Sequence, residues 1–171
     1  SEMPRLVCSS YKNASEITIS YAIKSAKLIM ENLVILSNDL NSLKYRDNIM
    51  KSCMYAGLAF SNTQTAIAHA MSYYITANKR VPHGIACSFT LPLLIDKIIG
   101  KYEFVDEALY EIFGELSSNK LNKFFQELEV STNFEDYGIN NIDLKNLKNS
   151  LGDNQRANNS LIKSIDIFEN T

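Results

Sequence analysis

A chain of 171 residues, 46% of them hydrophobic, is long enough to bury one sizeable core. Its 17 basic and 19 acidic side chains give a net charge of −2 spread along the sequence, which excludes the basic footprint that nucleic acid or an anionic membrane surface requires. Cys8, Cys53 and Cys87 are an odd number without CxxC spacing and point to reduced thiols and a cytoplasmic setting rather than a disulfide framework.

The N-terminal "SEMPRLVCSSYKN" lacks a basic region followed by an apolar core, and so does not read as a secretory signal. Further on, Ile19, Ile23, Ala26, Met30 and Leu33 step by four and three residues, which predicts a helix with one apolar stripe. Ser15 and Glu16 supply its cap and acidic first turn, and "ENLVILSND" its exit. A second helix is expected from near Ser42 to "FSNT", with Ile49, Cys53, Ala56 and Phe60 inward.

The third predicted helix runs from about Thr63 through Tyr74, with Ile67, Met71 and Tyr74 facing a core and His69 offset from them, late on the helix. A fourth begins at Pro82, where a first-turn proline loses no needed hydrogen bond, and continues through "IACSFTLPLLIDKII" with a kink at Pro92. Asp96 and Lys97 interrupt that stretch well before the roughly 18 to 20 apolar residues of a membrane span. The protein is therefore expected to be soluble, with no membrane partner.

Beyond Gly100, "EFVDEALYEIFG", "NKLNKFFQELEV" and "NIDLKNLKNSLG" read as three amphipathic helices and "SLIKSIDIFEN" as a last one. Strand-like alternation and internal repeats are absent, and no linker divides the sequence. The expected fold is a single all-α domain, a multi-helix bundle over residues 1–171.

The six glycines stand alone, so neither a GxGxxG turn nor a GxxxxGK[ST] loop is present to cradle phosphates. HExxH and GxSxG are absent too. The two histidines, His69 and His83, lie fourteen positions apart, about 21 Å along one continuous helix, too far to share a ligand. "ITANKRVP" offers a reversal, which would place His83 in the first turn of the next helix, facing the third across an αα-hairpin. Two readings are open for the pair: ligands of one metal, or unrelated helix-end side chains. Cys87, one turn after His83, is either the second half of a His-x₃-Cys pair or a small apolar filler.

The stretches "AGLAFSNTQTAIAHAMSYY" and "PHGIACSFTLPLL", with "FFQELEVSTNFEDYGI" and "RANN" after them, resemble the C-terminal domain of the iron-containing (group III) alcohol dehydrogenase family over nearly the whole chain. The resemblance implies the all-α half of a dehydroquinate synthase-like fold, with His69 and His83 as metal ligands. An Asp and a third His, upstream of the stretch resembling "SSYKNASEITISYAIKSAKLI", complete the family's shell. A Rossmann-like N-terminal domain binds NAD(P), and Fe2+, or Zn2+ or another divalent ion, acts on a small alcohol or aldehyde; a homodimer is a further implied partner. Many members carry a histidine four residues after the first ligand, where this sequence has Tyr73, the candidate catalytic residue. The Ser-Tyr pair of "HAMSYY" resembles the branch acting on phosphonoacetaldehyde, for which Lys79 and Arg80 would suit an anionic substrate; the same two residues also suit a solvated turn.

Two imidazoles without an assignable carboxylate hold a metal weakly, so this chain alone is expected to carry no metal or a loosely bound one, and to be inactive by itself. The alternatives are a truncated helical product without catalysis and a free-standing interaction module that keeps only the fold.

Overall fold

The computed structural model describes residues 14–168 apart from positions 62, 64, 116, 153, 159 and 163–166. Helix α1 (Glu16–Asn38) starts at the expected cap: the Ser15 hydroxyl oxygen accepts the Thr18 N–H at 3.3 Å, and the Thr18 hydroxyl oxygen accepts the Ser15 N–H at 2.8 Å. Ile23 and Ala26 are buried, Ile29 joins them, and Ile19, Met30 and Leu33 flank the contact half-buried.

Helix α2 (Leu43–Ser61) departs from its expected stripe. It buries Ser52, Ala56 and Ala59, while Cys53 and Phe60 are exposed. The reason is a polar seam with α1. The Ser25 hydroxyl donates to the Ser52 carbonyl at 3.0 Å, the Ser52 hydroxyl donates to the Ser25 carbonyl at 2.9 Å, and the Asn48 amide donates to Asn32 Oδ1 at 2.8 Å. Small side chains let the two backbones approach closely enough for these bonds, a criterion that hydropathy stepping does not register.

Helix α3 (Ile67–Lys79) is buried without interruption from Ile67 to Ser72, as a helix through the centre of a bundle must be. It starts later and ends later than expected, so His69 lies in its first turn and not late along it. Ala66 is extended at the entrance, and Arg80 adopts a left-handed conformation (φ 56°) at the exit.

The single kinked helix expected from Pro82 is instead two: α4 (His83–Ser88) and α5 (Leu91–Ile98), separated by a turn at Phe89 and Thr90. Pro92 in a continuous helix would lack an N–H and crowd the Ser88 carbonyl; starting a new helix puts it in a first turn, where neither matters. Pro82 is the residue before α4, and its carbonyl accepts the Ala86 N–H at 2.9 Å.

Helices α6 (Glu103–Phe113), α7 (Ser117–Glu127) and α8 (Asn141–Gly152) follow the three predicted segments. A 3-10 turn at Glu135–Tyr137 and a short helix α9 (Gln155–Asn158) were not foreseen. The last predicted helix, over residues 160–170, falls largely outside the described residues. No strand occurs among the described residues, so the fold is all-α as expected. Helix α3 packs against α4, α8 and α9, α5 and α6 pack on α7, and the α1–α2 hairpin joins through α1 to α6 and α7. Among the described residues no helix is long and apolar enough to cross a membrane.

Candidate metal centre

The first turns of α3 and the whole of α4 supply one cluster. His69, Ser72 and Tyr73 share a face of α3, since residues three and four apart are helix-surface neighbours. After the reversal at Arg80–Pro82, His83 opens α4 and Cys87 stands one turn beyond it on the same face. The rings of His69 and His83 lie with centroids 5.8 Å apart and planes at 73°. Cys87 Sγ is 3.5 Å from His83 Nε2 and 3.9 Å from Nδ1, and the Ser72 hydroxyl lies 3.4 Å from that same Nδ1. Ser72 also donates to the His69 carbonyl at 2.8 Å, so one hydroxyl spans both histidine-bearing segments.

One ligand atom from each of His69, His83 and Cys87 can be chosen so that all three lie within 4.8 Å of one another. His69 and Cys87 are buried and His83 is exposed, giving a floor in the core and an edge open to solvent. Two imidazoles and a thiol suit a divalent transition metal of borderline softness, and an open side is what a catalytic metal requires. The donor set therefore fits the metal that the sequence resemblance implies. Asp96 and Glu103, the nearest carboxylates in sequence to His83, are not among the clustered residues.

Tyr73, half exposed, places its ring 5.7 Å from that of His83, beside the donor cluster. The Arg156 guanidinium lies 5.2 Å from the Tyr73 ring centroid. Arg156 escaped the sequence reading because four-residue α9 is too short to show periodicity; the "RANN" stretch containing it was the available signal.

The two other expected cations sit elsewhere. Lys79 is ten residues beyond His69, about 15 Å along α3, and its Nζ pairs with Asp143 Oδ2 of α8 at 2.7 Å with both side chains largely covered. Arg80 is exposed at the helix exit. The structure thus gives Lys79 an interhelical partner, and the cation beside Tyr73 is Arg156. An apolar cleft of about 300 Å³ on the opposite side of α4, lined by Pro82, Gly84, Ile85, Phe124 and Phe125 among others, does not include the cluster.

Residues 9–163 match the Fe-containing alcohol dehydrogenase family, C-terminal. The 1,3-propanediol dehydrogenase of Citrobacter freundii is 32% identical over 106 residues, 61% of this chain and 27% of that protein. The sulfoacetaldehyde reductase of Bilophila wadsworthia is 26% identical over 145 residues, 77% of this chain and 38% of that protein. The crystal structure of sulfoacetaldehyde reductase from Bifidobacterium kashiwanohense in complex with NAD+ has a TM-score of 0.85 at 22% identity, covering 97% of this chain and 44% of that one, a likeness of fold. The chain spans less than half the length of these relatives.

Proposed function

The chain belongs to the Fe-containing alcohol dehydrogenase family, and from that premise we propose that it is the metal-side domain of an oxidoreductase interconverting a small alcohol and its aldehyde with NAD(P). The observation that carries this reading is the convergence of His69 and His83, fourteen positions apart in sequence, to a ring separation of 5.8 Å. They are proposed to hold Fe2+, or Zn2+ or another divalent ion, which when bound supplies Lewis acidity toward the substrate oxygen. His69 anchors from the core and His83 from the rim, with Ser72 restraining the His83 ring through Nδ1.

Tyr73 is proposed to pass the substrate hydroxyl proton toward solvent, since its ring lies beside His83 and its side chain is half exposed. Arg156 is proposed to meet an anionic substrate tail, in place of Lys79 and Arg80. One relative is named for sulfoacetaldehyde, an aldehyde with an anionic end, which supports an anionic substrate. NAD(P) would be held by a dinucleotide-binding partner domain, because these 171 residues contain no glycine-rich phosphate turn. A homodimer belongs to the same reading.

Zn2+ titration followed by calorimetry tests the metal assignment. His69→Ala and His83→Ala are each expected to weaken binding by about tenfold or more, with helical circular dichroism retained. Binding unchanged in both variants would overturn the proposal in favour of a helical module without catalysis.

A further inference from the structure

We infer that Ser72 is a positioning residue for the metal: its hydroxyl holds His83 in the tautomer with the proton on Nδ1, which leaves the Nε2 lone pair free to ligate. The inference rests on the metal reading for His69 and His83 and adds to it which nitrogen of His83 ligates and what selects that nitrogen.

The direction of the Ser72 hydroxyl decides the tautomer. Its two contacts are unequal: it donates to the His69 carbonyl at 2.8 Å and stands 3.4 Å from His83 Nδ1. A hydroxyl has one proton and two lone pairs, and the shorter contact has the length of a fully formed O–H···O bond. A carbonyl oxygen can only accept, so that contact takes the proton. What Ser72 turns toward His83 is therefore a lone pair, which a ring nitrogen matches only when it carries hydrogen. Nδ1 is then the protonated atom, and in a neutral ring Nε2 is bare. For the opposite tautomer to be held, Ser72 would exchange a bond of 2.8 Å for one of 3.4 Å.

Burial makes the selection firm. Ser72 is fully buried, so its proton is not shared with bulk water, whereas His83 stands exposed at the rim. An imidazole in water favours the proton on Nε2, the atom that must be bare to ligate, so an unassisted His83 would have to change tautomer before binding through it. A hydrogen bond from the second ring N–H is the usual device by which a protein fixes the tautomer and orientation of a metal-ligating histidine. The Cys87 sulfur, 3.5 Å from Nε2 and 3.9 Å from Nδ1, lies beside the ring rather than along either lone pair, and so does not compete with Ser72 for Nδ1. Because Ser72 is also bonded to the His69 backbone, the ring at the rim is registered against the helix that carries the buried ligand.

Nitrogen-15 NMR of the metal-free chain tests this without reference to activity. The sequence holds two histidines, so labelling with nitrogen-15 histidine reports two rings, and the one lost in His83→Ala is His83. With chelator present, at a pH at which both rings are neutral, His83 Nδ1 is expected to resonate as an N–H nitrogen and Nε2 as a bare one. Ser72→Ala should return His83 toward the tautomer of free histidine and weaken Zn2+ binding by about tenfold. Ser72→Thr, which keeps the hydroxyl, should restore both, with helical circular dichroism retained in each variant. A wild-type His83 with its proton on Nε2 overturns the inference whatever the variants do, and so does a tautomer that Ser72→Ala leaves unchanged. If either is found while Zn2+ affinity still falls in His69→Ala and His83→Ala, the role of Ser72 is wrong and the metal reading stands. If Zn2+ affinity is indifferent to both histidines, the metal reading falls and the inference with it.

Discussion

His69 and His83 meet edge to face, with ring centroids 5.8 Å apart, yet one is 7% exposed and the other stands open at the rim. Their roles in holding the fold should therefore differ even if their roles toward a metal are alike. Removing a buried ring leaves a cavity between α3 and its neighbours, whereas removing an exposed one leaves a surface position. In urea titrations with chelator present, His69→Ala is expected to lose about 1 to 3 kcal/mol and His83→Ala within about 0.5 kcal/mol. Equal losses would mean that the two rings are packed alike, against their burial.

The seam between α1 and α2 makes a second prediction. Ser52 is fully buried and bonds reciprocally with Ser25 through hydroxyl and carbonyl groups. Leucine there would add volume inside the buried seam and remove the hydroxyl that the Ser25 carbonyl accepts in addition to its helix partner. Ser52→Leu should cost about 1 to 3 kcal/mol; Ser52→Ala, which keeps the spacing, should cost less. A neutral Ser52→Leu in thermal melts would show that the seam is looser than its bonds imply.

Gly114 closes α6 at φ 67° and ψ −145°, a conformation that side chains rarely adopt. A Cβ there would also meet Lys120 Nζ at 3.3 Å, and that amine is fixed by donating to the Phe113 carbonyl at 2.5 Å. Gly114→Ala is expected to destabilise by about 1 to 3 kcal/mol. Gly84→Ala, where φ is ordinary and nothing lies within 4 Å of an added Cβ, is the control that should stay near wild type in the same denaturation series.

The all-α class and most helices were legible because their apolar spacing and caps are local signals. Ser15 caps α1 where expected, and residues 141–152 form α8 with the predicted bounds. What failed was decided by tertiary contact. The α2 face follows a small-residue hydrogen-bonded seam, so Phe60 points outward although hydropathy favours it inward. The break before Leu91 was visible as Pro92, but whether a proline kinks a helix or starts one depends on what the flanking turn packs against. At the candidate site, spacing and resemblance named His69 and His83. Spacing also offered Cys87 as a partner of His83, its sulfur's place beside the ring being set by the rotamers, and Arg156 needed α9 to be folded back onto α3.

Lys79 and Asp143 tie α3 to α8 and provide the last prediction. The Lys79 ammonium, donating to Asp143 Oδ2 at 2.7 Å, is the main influence holding that carboxyl below its usual range; the Asn140 N–H, at 3.0 Å from the same oxygen, adds to it. A carboxyl more acidic in the folded than in the unfolded chain stabilises the fold fully at any pH above its unfolded value, about 3.9. The contribution declines as pH falls below that value and through the lower folded one. The melting temperature of the wild type should therefore exceed that of Asp143→Asn by a constant margin from neutrality down to about pH 4–5, then by a shrinking margin as the acid is added. Lys79→Met removes the larger influence and should narrow the margin, leaving the part due to Asn140. A margin that stays level through the acid range would mean that the carboxylate is not held by these donors, and would free Lys79 for the substrate role its sequence position first suggested.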